Sequence, residues 1–148
     1  MNDYLLNLEQ NEIISFKAFG ESMWPTLISG KSTVILKKKN QRLKKYDIGF
    51  YIRENKEFVL HRVVEVLKDG YMFMGDSQDF TEKVLEENVV AVLIGYYKGK
   101  KYIDAKSDKQ IKKAEKLYKN DKKRLRKAKI HNFIVRLKGK IKGKKEGR

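Results

Sequence analysis

Three residues suited to acyl transfer sit in separate segments of this 148-residue chain: Ser22, His61 and Asp76. Ser22 lies in Gly20-Glu21-Ser22-Met23-Trp24-Pro25-Thr26-Leu27, which holds the single proline and single tryptophan of the sequence. Gly20, two residues before the serine, and Pro25, three residues after it, describe a sharp, rigid bend. Such a bend lifts a hydroxyl clear of its surroundings and leaves backbone N–H groups free beside it. These are the nucleophile and the oxyanion donors that acyl transfer needs. His61 falls in the apolar run Phe58-Val59-Leu60-His61-Arg62-Val63-Val64. Its imidazole titrates near neutrality, so it can take a proton from a serine and return it to a leaving amine. Asp76 follows in Met74-Gly75-Asp76-Ser77-Gln78-Asp79-Phe80-Thr81-Glu82. A carboxylate there can accept the Nδ1–H of His61 and fix its tautomer, and Asp79 and Glu82 put two more acids close by. Each segment also has an ordinary structural use, as a Gly/Pro turn, a strand histidine completing its hydrogen bonds, or an Asx-type strand cap.

The elements that must position these residues are mostly strands. Short apolar runs punctuated by turn residues predict strands at 13–19, 32–37, 48–53, 57–66, 71–75 and 88–97, with 101–103 as a final edge strand. On that pattern Ser22 sits in the bend after the first strand, His61 inside the fourth, and Asp76 just beyond the fifth. Asp69-Gly70 marks a hairpin, in which Gly70 is expected to supply a positive φ. Residues 3–10 form a short helix with Tyr4, Leu5 and Leu8 on one side.

Beyond Asp104 the β pattern stops. Residues 108–129 carry a sparse apolar stripe of Ile111, Ala114, Tyr118 and Leu125, which predicts a helix. Ile130, Phe133, Ile134, Leu137 and Ile141 then recur at helical spacing between cations, with Gly139, Gly143 and Gly147 weakening the end. The chain therefore divides into a mainly β domain, 1–103, and a basic, partly helical tail, 104–148. Charge divides the same way. The net charge of +16 splits into +2 over residues 1–103 and +14 over residues 104–148.

Composition excludes several function classes. There is no cysteine, which rules out disulfides and thiolate metal sites. With only two histidines, His61 and His131, no metal cluster and no cofactor is expected, and His131 is expected to be a surface residue. The N-terminus has acids early and no basic-then-apolar pattern, so it is not a signal peptide. No apolar run reaches the ~18 residues that would span a bilayer. A cytoplasmic protein follows, peripheral at a membrane if the tail binds one. The apolar and cationic residues of 130–142 suit an anionic membrane surface or an acidic protein partner. Nucleic acid ranks lower, because the tail has few aromatics to stack on bases and no recognised binding motif.

In order along the chain, these segments resemble the motif boxes of the type I signal peptidase and LexA-like serine peptidase superfamily. "GESMWPTL" is similar to its nucleophile box and "KKYDIGFYIRE" to the box that often reads K-x-G-D-I-V. "VLHRVVEV" is similar to the general-base strand, "MFMGDSQDF" to the G-D-N-N-like box, and "VVAVLIGYYK" to the closing strand. The resemblance spans about residues 13–97. Histidine at the base position is a feature of the endoplasmic-reticulum-like and archaeal-like branch, whereas the common bacterial enzymes have lysine there. This chain differs in Gly30-Lys31, Tyr46-Asp47 and Ser77-Gln78, and in lacking a membrane anchor.

The resemblance implies a coiled β-sheet that binds a peptide or protein precursor as an added extended strand, with small residues preferred beside the scissile bond. It implies Ser22 as nucleophile, His61 as base and Asp76 as the acidic partner, with Glu82 and then Asp79 as alternative acids. The Ser22 N–H, within the turn of Gly20, Glu21, Met23 and Pro25, is the expected oxyanion donor. The expected activity is that of a serine endopeptidase removing a signal or leader segment. The alternative is a non-catalytic peptide-binding module, docked by its tail to a membrane surface or an acidic partner.

Overall fold

A computed structural model describes residues 3–146. Helix α1 (Asp3–Gln10) precedes eight strands: β1 (Ile13–Lys17), β2 (Ser32–Lys38), β3 (Ile48–Ile52), β4 (Phe58–Val66), β5 (Gly70–Met74), β6 (Glu82–Leu85), β7 (Val89–Lys98) and β8 (Lys101–Asp104). Helices α2 (Asp108–Lys119) and α3 (Asp121–Glu146) close the chain. The strands form one open antiparallel sheet in the order β1-β2-β7-β3-β4-β5-β6, and β8 pairs with the far end of β7.

The sheet owes its integrity to β7. Its ten residues, VVAVLIGYYK, are long enough to pair with β2 along one edge and with β3 and then β8 along the other. Alternation places neighbouring residues on opposite faces. Phe50 thus joins Leu8, Met23, Val34 and Leu93 in one core, while Tyr51 joins Val63, Tyr71 and Phe73 in another. Burying a side chain the size of Phe73 contributes about 2–3 kcal/mol. Helix α1 caps the first core, with the Tyr4 ring against Phe16, Phe50 and Phe58. Register shifts at Ile35/Leu36, Phe50/Tyr51 and Val63/Glu65 interrupt three of the ladders. Bulges of this kind bend a strand and raise its twist.

Several sequence expectations need correction. Strand β6 was not anticipated, because Glu82-Lys83-Val84-Leu85 offers only Val84 to the core. The Asp69-Gly70 hairpin forms, but Gly70 is not among the positive-φ residues. Its role is close approach: a Cβ there would stand 2.1 Å from the Val84 carbonyl oxygen on β6. The helix expected over 108–129 breaks at Asn120, whose side-chain oxygen accepts the Lys123 N–H. Gly139 and Gly143 do not stop α3; each lowers helix propensity by only about 1 kcal/mol. Gly147 lies outside the described residues. The helices are also no detached appendage at their start, since Tyr118 and Arg124 reach the loop after β5.

Candidate active site

The turn after β1 is set by Gly20, whose φ of +93° is a left-handed conformation that glycine adopts without penalty. The Gly20 N–H donates to Ser29 Oγ, and Leu27 N–H donates back to the Met23 carbonyl, closing the turn around Ser22. The loop after β5 braces it from below. Ser77 N–H donates to the Ser22 carbonyl at 3.0 Å, and Ser77 Oγ donates to the Glu21 carbonyl at 2.7 Å. Gly75 permits this approach, because a Cβ there would stand 2.6 Å from the Ser22 carbonyl oxygen. Among the described residues, no protein acceptor takes the Ser22 backbone N–H.

His61 enters from β4. It is 4 % exposed, and its Nε2 lies 3.1 Å from Ser22 Oγ, within reach for proton transfer. Its other nitrogen, Nδ1, lies 3.1 Å from the Tyr51 hydroxyl on the adjacent strand β3. Directly opposite His61 in that ladder is Gly49, and Tyr51 is two residues further on the same face. Tyr51 donates in turn to Glu82 Oε1 at 2.5 Å, and Arg53 holds the Glu82 carboxylate through Nε and Nη2.

The row of contacts fixes the tautomer. Arg53 keeps Glu82 ionised, so Glu82 only accepts and the Tyr51 proton must point at it. The Tyr51 oxygen can then only accept from Nδ1–H. Nε2 is left with its lone pair toward the Ser22 hydroxyl, which is the protonation state a general base requires.

Electrostatics support the same state. Burial pushes His61 down to about 4, helped by the Arg53 charge and opposed by Glu82 and Asp76, so the imidazole is neutral at pH 7. Burial and Glu82 push Tyr51 up, keeping it protonated. For Glu82 burial acts upward, but the bonds from Arg53 and Tyr51 prevail and its pKa is lowered.

Asp76 lies just beyond β5 as expected, but its carboxylate does not meet His61. Its carboxylate is fully buried and makes two hydrogen bonds with Arg62, at 2.9 and 2.8 Å. Thr26 Oγ1 and the Tyr118 hydroxyl donate to it as well. Burial acts to raise its pKa, but Arg62 and these donors outweigh it and the net shift is downward. Asp76 therefore acts on His61 through its charge, without a hydrogen bond to Nδ1. Asp79 is exposed and makes no such contact; Glu82 meets His61 only through Tyr51. Met23 is buried beneath the turn and Pro25 is exposed.

A cleft of about 400 Å³ opens over Ser22 and His61, with Phe16, Ala18, Met23 and Leu60 among its apolar walls. Arg53 and Glu57 give it a charged edge. Residues Phe58–His61 pair with β3 along one edge, while β5 pairs only from Arg62 onward. Among the described residues, no strand covers the other edge of Phe58–His61.

Sequence reasoning missed Tyr51, Arg53, Arg62 and Ser77. The β3–β4 register makes Tyr51 a neighbour of His61, and no local signal in the sequence reports it. His131, expected at the surface, stacks on Trp24 with ring centroids 4.2 Å apart and meets Glu21 Oε2 through Nε2 at 2.8 Å. Among the described residues there is no group of three potential metal ligands, and no helix is long and apolar enough to cross a membrane. No protein-family model, curated protein or solved structure matches this chain.

Proposed function

We propose that this protein is a serine endopeptidase of the signal-peptidase type, built on that superfamily's coiled β-sheet, which cleaves an extended segment of a peptide or protein precursor. The observation that carries this is the Ser22 Oγ–His61 Nε2 contact, with Nδ1 held by Tyr51 and the lone pair of Nε2 on the serine side. The uncovered edge of Phe58–His61 beside the cleft suits a substrate added as a further strand, bound by backbone hydrogen bonds and side-chain pockets.

Chemically, Ser22 Oγ attacks the scissile carbonyl carbon while its proton passes to His61 Nε2. The negative charge gathers on the carbonyl oxygen, where the Ser22 N–H can donate to it. The tetrahedral intermediate collapses as Nε2–H hands its proton to the leaving amine and the C–N bond breaks. Water then enters, loses a proton to Nε2 and attacks the acyl-enzyme carbonyl. Collapse of this second intermediate breaks the ester bond, and Ser22 Oγ recovers its proton from Nε2. Throughout, Nδ1–H stays with Tyr51, and the Glu82 and Asp76 charges stabilise the transient imidazolium.

The test is proteolysis of a denatured-proteome peptide mixture, with new N-termini read by mass spectrometry. Wild type is expected to generate a defined set of cleavages, lowered by about 10⁴-fold or more in Ser22→Ala and His61→Ala with folding intact. Equal cleavage by all three proteins, or none by wild type, overturns the proposal and leaves a peptide-binding module.

A further inference from the structure

Helix α3 has two unlike faces. Arg124 and Ala128 are buried, and Leu125, His131, Asn132 and Val135 are half-buried, so that residues one, four, seven, eight and eleven positions after Arg124 share its face. This face docks on the domain: Arg124 donates to the Asp76 and Gln78 carbonyls, and His131 lies on Trp24. At 100° per residue, Ile130, Phe133, Ile134, Leu137 and Ile141 fall within one stripe nearly opposite. All five are exposed, Phe133 by 61 % and Ile130 and Ile141 by 56 % each. Single exposed apolar residues are ordinary, but five in one continuous row mark an interaction surface. The row runs about 17 Å along the helix.

Charge identifies what the stripe fits. Between Asp121 and Glu146 the sequence has no carboxylate. The same wheel places Lys127 and Lys138 along one margin of the stripe and Lys129, Arg136 and Lys140 along the other. We propose that this outward face of α3 seats the protein on the surface of an anionic phospholipid bilayer. The apolar row enters the headgroup–acyl boundary, and the flanking cations reach phosphates on either side. Polyanion binding would leave Phe133 and its neighbours without a role. A second copy packed stripe to stripe would bring rows of like charge together. The inference does not depend on the peptidase chemistry, since none of these residues lines the cleft.

The experiment is co-sedimentation of the full chain with vesicles, comparing wild type with Phe133→Ala/Ile134→Ala/Leu137→Ala. These side chains are exposed and Ala favours helix, so the variant should keep the wild-type circular dichroism spectrum. Wild type should bind phosphatidylcholine–phosphatidylserine vesicles at least about tenfold more tightly than phosphatidylcholine vesicles, weakening as salt rises. The triple variant should lose at least about tenfold on the anionic vesicles. Equal binding by both proteins would reduce the effect to charge alone and overturn the proposal. So would failure to bind at about 1 mM anionic lipid. Dimerisation in light scattering, or tight binding to duplex DNA, without vesicle binding would assign the face to a second copy or to nucleic acid instead.

Discussion

Two polar networks meet beneath the nucleophile turn, and they use their carboxylates in opposite ways. In one, Ser22, His61, Tyr51 and Glu82 form a row that starts in the cleft and ends on the part-exposed Arg53 at the cleft's edge. In the other, Asp76 is enclosed by Arg62, Thr26 and Tyr118 with no exposure at all. The first network opens on the cleft, where Ser22, His61 and Arg53 line a space in which a substrate can lie. The second has no such opening, and its partners come from the nucleophile turn, β4 and α2. A carboxylate whose acceptor positions are filled by a buried guanidinium and two hydroxyls has little left to orient an imidazole. Both carboxylates are fully engaged, and what separates them is position: Asp76 is closed off around Arg62, whereas Glu82 holds the Tyr51 hydroxyl that meets His61.

Breaking the second network should cost most in stability. Asp76→Asn removes the charge that compensates buried Arg62, and breaking such a pair costs about 3–5 kcal/mol. Urea unfolding should show a large drop in midpoint, with cleavage per folded molecule falling only modestly through the loss of a charge that favours the imidazolium. A stable Asp76→Asn protein with no cleavage would instead mean that Asp76 serves His61 directly, and the contrast between the networks would collapse.

Perturbing the first network should act on rate and on its pH dependence. Tyr51→Phe removes the acceptor for Nδ1–H and frees His61 to adopt the wrong tautomer. A loss of about 10–100-fold in kcat/KM is expected, with a stability change of about 1–3 kcal/mol for the buried groups left unpaired. In wild type the acid limb of kcat/KM should lie near pH 4, because His61 is held down to about 4. Glu82→Gln removes an anion that favours the imidazolium, so this limb should move lower still. Stability follows the same group. Its folded value lies below the ordinary 6.5, so its contribution is complete above pH 6.5 and is lost as pH falls through about 4. An acid limb near 6.5 would show that His61 is not buried as described.

Much of the sheet was legible because β1–β5 and β7 carry apolar runs bounded by turn residues, and because Gly20 and Pro25 flag the bend that presents Ser22. The Ser22–His61 pair was legible from residue chemistry together with the family resemblance. Tyr51 was not, since its meeting with His61 depends on the β3–β4 register that sets Gly49 opposite the histidine. Nor was the fate of Asp76. That depends on Tyr118 from a helix forty-two residues away, whose sparse apolar stripe gave no hint of a polar contact. Local patterns report which way a residue faces within its element; they do not report which distant side chain has already filled its hydrogen-bonding positions.

The smallest expected effect concerns the link from α3 to the nucleophile turn, which belongs to neither network. His131 stacks on Trp24 and hydrogen-bonds Glu21, the residue before Ser22. Both rings are part-exposed, so His131→Ala should cost only about 1 kcal/mol from the lost stacking and hydrogen bond. The chain has one tryptophan, so its fluorescence reads the surroundings of Trp24 with no other indole contributing. Emission should shift to the red as water replaces the imidazole over Trp24. Cleavage should stay within about threefold of wild type, because Ser77 and Gly20 still hold the turn from its other sides. A much larger fall in cleavage with little change in stability would show that α3 positions Ser22 through Glu21. The helix would then join the first network, and the division between a row that opens on the cleft and a hub closed off from it would no longer describe the molecule.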